Sequence, residues 1–148
     1  MPEHSAADLM AAIGERQRRL RELLSDDAPR YAERPPDGKW SVIENLCHLV
    51  FAQQAHLGRY LPSPPPWSPF ALPPSGMQTQ ARFRQLGEVP SSAGEVLDAW
   101  AAIHEAMGPL ATNDDPRFLN RLERHVKHLN AHVKVIERLL RAQEKATS

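Results

Sequence analysis

The chain has 148 residues, with 18 Lys+Arg against 18 Asp+Glu, seven His, one Cys, 14 Pro and 7 Gly. That length supports one domain with a real hydrophobic core and no need of disulfides or a structural metal, and zero net charge argues against DNA or RNA as the main partner. No apolar run approaches the ~20 residues of a bilayer span, the first residues lack the basic and apolar regions of a secretory signal, and a lone Cys excludes a disulfide framework and fits a reducing cytoplasm.

Taken in chain order, the first helix is expected over 5–25, with Leu9, Ile13, Leu20 and Leu24 along one side and an Arg/Glu-rich face opposite. Asp26, Asp27 and Pro29 end it. A second helix begins at Ser41, where Ser41 and Glu44 have the spacing of a capping box, and Pro62 stops it. Its apolar side is Ile43, Leu46, Val50 and Leu57. Seven of the 14 prolines then fall between Pro62 and Pro74. Proline removes a backbone donor and clashes with the preceding turn, so neither a helix nor a central strand survives there. The segment contains a P-x-x-P, read here as part of a rigid crossover rather than a ligand for proline-reading domains. Two places stay open for Trp67 and Phe70, the bundle itself or the interface of a homodimer.

A short helix is expected over 77–86. The third helix opens on a second box-like pair, Ser92 and Glu95, and carries Val96, Trp100, Ile103, Met107 and Leu110, with Gly108-Pro109 breaking its last turn. The fourth starts at Asp115-Pro116, runs to about residue 145, and at ~1.5 Å per residue spans some 45 Å. Its apolar stripe is Phe118, Leu122, Leu129, Val133, Ile136 and Leu140, and its charged side is Arg124, Lys127, Lys134, Arg138 and Arg141. Residues 116–145 hold eight basic and three acidic side chains, residues 61–115 two and six. A solvated helix face explains this imbalance most simply, with the orienting of one subunit on another or the attraction of an anionic substrate to the cleft as the alternatives. No hairpin signal or alternating apolar run occurs. The fold expected is therefore all-α: a four-helix bundle with a long proline-rich connection between helices two and three.

The chemistry concentrates in the histidines. His125, His128 and His132 lie on the apolar side of the fourth helix or its margin, within roughly 60° of one another. His128 and His132 are four residues apart, a spacing from which two imidazoles can converge on one ion. A third protein ligand must come from another helix, and the residues leave His48 and His104 as candidates. His48 shares a stripe with Glu44, Phe51, Ala52 and Ala55, whereas His56 points with Asn45 and Leu49 toward the polar side. His4 lies near the start of the chain. The zinc-protease pattern H-E-x-x-H is absent, because Leu129, Asn130 and Ala131 separate the pair and no Glu is available as base. Glu44, one turn before His48, is explained by its capping role, with general base or outer acceptor as the alternative. Cys47 diverges from His48 by about 100° of helix and reads as a small buried hydrophobe. Trp40 packs at the helix entry.

The run Gly38-Lys39-Trp40-Ser41-Val42-Ile43-Glu44-Asn45-Leu46-Cys47-His48-Leu49 resembles the W-S-x-x-E-x-x-x-H-L opening of helix two in the DinB-like superfamily of small metal-binding helical proteins. His128-Leu129-Asn130-Ala131-His132 is similar to the H-x-x-x-H of that family's last long helix. The resemblance implies a four-helix bundle and a divalent cation, zinc or nickel, held by His48, His128 and His132, with His104 and His125 left to structural or supporting roles. It implies a metal-dependent transferase or hydrolase acting on a small molecule, with a low-molecular-weight thiol as co-substrate in characterised relatives such as bacillithiol and mycothiol transferases. The alternative is a non-catalytic bundle that binds metal or a protein partner. One departure is Val135, where family members often carry a Gln that would help orient the ligands.

Overall fold

The structure, a computed structural model, describes residues 4–26 and 28–147. Four α-helices are present, α1 (Ala6–Leu23), α2 (Val42–Leu57), α3 (Ala93–Ala106) and α4 (Pro116–Thr147), with no strand among the described residues. α4 packs against α1 and α2, and α3 packs against the same two. Around the bundle the order is therefore α1, α4, α2, α3, as expected of an all-α four-helix bundle. No helix among the described residues is long and apolar enough to cross a membrane.

Side-chain caps set the helix starts. The Ser5 hydroxyl accepts from the Asp8 amide, and the Ser41 hydroxyl from the Glu44 amide, each in a complete capping box. At α3 the Ser92 hydroxyl accepts from the Glu95 amide, but the Glu95 carboxylate takes the Ser91 amide at 2.8 Å and the Ser91 hydroxyl at 2.7 Å, one residue earlier than the expected box. The Asp115 carboxylate accepts from the Arg117 amide at 2.8 Å and caps α4 ahead of Pro116. Asp27, expected to help end the first helix, lies outside the described residues.

The expected stripes meet in one core. Ile13, Leu20, Leu46, Val50, Val96, Trp100, Met107, Phe118, Leu122, Leu129 and Ile136 are all fully buried. Each such apolar side chain contributes about 1.5–3 kcal/mol by leaving water. Gly108–Thr112 forms a 3-10 turn and seats Leu110 under the bundle. The helix expected over 77–86 is absent. Two 3-10 turns, Ser75–Met77 and Ala81–Phe83, replace it. The stretch is short and polar, carries a glycine at φ 80° just beyond its end (Gly87), and anchors through Phe83 alone as a buried side chain. Too few residues are available there to repay helix nucleation.

α2 differs most from expectation. Twelve of its sixteen residues are buried, among them Asn45, Leu49, Gln53 and Gln54, so it has no polar side. The proline-rich connection covers the face that α3 and α4 leave open, strapped down by polar bonds. Gln54 donates to the Pro66 carbonyl at 2.9 Å and accepts from the Ser68 amide at 3.0 Å. Leu72 donates its amide to the Cys47 carbonyl at 3.1 Å. Prolines suit such a strap, because each removes an amide that would otherwise need a partner.

Candidate metal centre

α2 and α4 lie side by side, so one histidine of α2 faces the pair on α4. His48, His128 and His132 offer ring nitrogens that all lie within 4.8 Å of one another. Their ring centroids are 5.4 Å (His48–His128), 5.0 Å (His48–His132) and 4.6 Å (His128–His132) apart. The group forms because one helical turn separates the α4 pair, and because the strap and Trp40 hold His48 from outside. The Trp40 ring sits 4.8 Å from that of His48, so the expected helix-entry tryptophan also backs the cluster.

Hydrogen bonds orient two of the rings. His48 Nδ1 lies 3.0 Å from the Leu72 carbonyl oxygen, which can only accept, so Nδ1 carries the proton and Nε2 the lone pair. His132 Nδ1 lies 2.9 Å from Asn45 Oδ1, while the Asn45 amide nitrogen donates to the Ser41 carbonyl at 2.9 Å. The same tautomer follows. Metal-binding histidines are commonly held this way, with the far nitrogen donating to a carbonyl. The orienting partner of His132 thus comes from α2. His128 Nδ1 is buried without a hydrogen-bond partner among the described residues. Burial pushes the pKa of all three down, that of His132 to about 4, with His128 and His48 adding to the effect on His132. Three neutral imidazoles, two with oriented lone pairs and one with an unpaired nitrogen, make a donor set that fits a divalent cation.

A cavity of about 400 Å³ opens beside the cluster, walled by His48, His128, Phe51, Trp67, Phe83 and Arg121 among others. A depression of about 480 Å³ behind Trp40 and Asn45 contains none of the three histidines. The 400 Å³ cavity is therefore positioned for chemistry at the cluster. Its wall is aromatic: Trp67 stacks on Phe51 at 5.3 Å and meets the edge of Phe83 at 5.4 Å. Trp67 remains 37% exposed, so it closes one side of the cavity while keeping a face to solvent.

His56 also lines this cavity, contrary to its expected place on a polar side. Its Nδ1 lies 3.0 Å from Nδ1 of His125, which is 1% exposed. Burial first, then the charge of Arg121 and the neighbouring histidines, push the His56 pKa down to about 4. His104 does not join the cluster. Its Nδ1 meets the Gln53 amide at 3.0 Å. Glu44 is occupied elsewhere, gripped by Arg34 at 2.9 and 2.7 Å and bonded to the Ser41 amide, which leaves it no role as a base at the cluster. Cys47 is buried, and burial pushes its thiol pKa up to about 12. His4 is exposed near the start of α1.

A family model described as the DinB superfamily matches residues 12–141. The chain belongs to the DinB superfamily. No match is found among curated proteins or among solved structures. The DinB match spans the segments that supply His48 from α2 and the His128/His132 pair from α4. It also spans Asn45, Leu72, His56 and Arg121, which residue spacing alone did not single out. Asn45 read as part of a polar side, so nothing in the spacing announced its place beside His132. Leu72 acts through its backbone, for which a side-chain pattern gives no cue.

Proposed function

We propose that this DinB protein is a metal-dependent enzyme, a transferase or hydrolase acting on a small molecule, whose divalent cation, zinc or nickel, is held by His48, His128 and His132. The observation that carries the reading is the pairing of two oriented imidazoles and one unpartnered one with an adjoining 400 Å³ cavity. A site that only stored an ion would have no use for a substrate-sized space against two of its ligands. Bound there, the cation supplies Lewis acidity, lowering the pKa of a thiol or polarising an electrophile beside it.

The chain's own residues supply binding, orientation and exclusion of water. Phe51, Trp67 and Phe83 form an aromatic wall against which an apolar group packs. The Leu72 carbonyl fixes His48, which lines the same cavity, and Asn45 fixes His132 in the cluster beside it. His56, kept neutral by burial, holds a proton on one ring nitrogen and a lone pair on the other within the cavity wall. Cys47, the one thiol in the sequence, is buried with its pKa at about 12 and is no nucleophile. A thiol-dependent transfer would therefore take its thiol from solution, as a low-molecular-weight co-substrate. Elemental analysis of untagged protein tests the reading. Near one equivalent of zinc or nickel, lost in both His48→Ala and His128→Ala, is expected. Native protein that stays metal-free after dialysis against either ion would overturn it.

A further inference from the structure

The cavity beside the histidines carries cations and no anions. Arg121 and Arg82 line it, and no Asp or Glu does. Arg121 Nε is buried without a hydrogen-bond partner, and no carboxylate pairs with this arginine among the described residues. Burial is the main cause pushing its pKa down, with Arg59 and Arg124 adding to it and Tyr60 opposing. The chain as a whole is neutral, with 18 charges of each sign, so leaving this guanidinium uncompensated in a cleft is a local arrangement. Guanidinium presents a planar fork of donors that matches a carboxylate. The same cavity is lined by the stacked Phe51 and Trp67 and the edge-on Phe83, with Arg82 lying 4.5 Å over the Phe83 ring. This wall accepts a flat apolar group.

We propose that the cavity binds a small organic carboxylate with a flat apolar body, its carboxylate held by Arg121 and its body packed on Phe51, Trp67 and Phe83. This names the substrate class of the site proposed above and rests on that cavity being where the substrate binds. It does not require the cation.

Calorimetric titration of the full chain with phenylacetate and its neutral counterpart phenylacetamide tests the proposal, in protein loaded with zinc and in protein stripped by chelator. A preference of roughly tenfold or more for the acid is expected in both forms, since charge-assisted bonds to a partly desolvated arginine are involved. Arg121→Met should abolish the preference and leave amide binding in place, and Arg121→Lys should retain part of it. Arg121→Gln serves the same purpose if the Met variant does not fold by circular dichroism. An exposed control on the same helix, Arg138→Met, should change nothing. Equal binding of acid and amide, binding of neither at millimolar concentration, or a preference that survives Arg121→Met would each overturn the proposal. A preference present only with zinc would move the carboxylate onto the ion, overturning the role of Arg121 while supporting the metal reading. A preference in a protein that takes up no metal would do the reverse.

Discussion

Asn45 is 3% exposed and divides its amide between two duties. The nitrogen donates to the Ser41 carbonyl at 2.9 Å, and the oxygen accepts from His132 Nδ1 at 2.9 Å. Asn45→Ala leaves the α4 pair in sequence but frees the His132 ring to turn. Zinc affinity, read by competition with a chelating dye, should fall about 10–100-fold with helix content unchanged, and an unchanged affinity would remove Asn45 from the site. Gln53 plays the corresponding part in the core. It is fully buried, accepts from Trp100 Nε1 at 2.7 Å and meets His104 Nδ1 at 3.0 Å. Gln53→Leu preserves volume but strands the indole N–H, so urea denaturation should show a loss of about 2–3 kcal/mol. Neither role was legible in sequence, because a buried amide reads as a surface residue until its partners are known. Arg121 stood closer to legibility. It precedes His125 by four residues and His128 by seven, which sets all three on one helical face.

The entry to α2 shows how element boundaries could be read while the element's surroundings could not. Ser41 and Glu44 announce the helix start by spacing alone, and the structure closes the box. The added grip of Arg34, ten residues before Glu44, has no local signature. It gives the start a pH dependence whose sign is fixed. Hydrogen bonding to Arg34 is the main cause holding the Glu44 pKa below its ordinary value of 4.5, with bonding to Ser41 assisting and burial opposing. A carboxylate lowered on folding stabilises the folded state at neutral pH, and that contribution is lost as pH falls below 4.5 through the folded value. Glu44→Gln keeps an acceptor for the capping box and removes the charge. It should cost about 0.5–1 kcal/mol at pH 7, and the difference from wild type should shrink as urea midpoints are measured below pH 4.5. A gap that persisted at low pH would assign the loss to the cap instead of the ion pair. The other faces of α2 were misjudged for a physical reason. Periodicity reports which side of a helix meets other helices, but a strap of prolines buries residues without any period. His56, Asn45 and Leu49 were therefore placed on a polar side that does not exist.

At the scale of the whole molecule, the three histidines come from helices about 80 residues apart in sequence. The stripes on each helix predicted a bundle, and His128 and His132 announced themselves by spacing. Which third residue met them was open between His48 and His104 until the family resemblance favoured His48, since stripes do not specify which neighbour a helix acquires. The observed order around the bundle decides the matter. α2 lies against α4, while His104 on α3 turns to Gln53. An ion at the cluster therefore joins two helices that are otherwise connected through the strap and α3, and unfolding must release it. At a hundredfold excess over the dissociation constant such a ligand adds about 2.7 kcal/mol. For a chain of this length each kcal/mol is worth roughly 2–4 °C, so saturating zinc should raise Tm by about 5–10 °C. Chelator should reverse the shift, and His48→Ala should eliminate it. His104→Ala should lower Tm through its broken bond to Gln53 and still respond to zinc in full. If His104→Ala instead abolished the response while His48→Ala kept it, the ion would sit between α3 and α4, and the pairing of α2 with α4 would no longer explain the site.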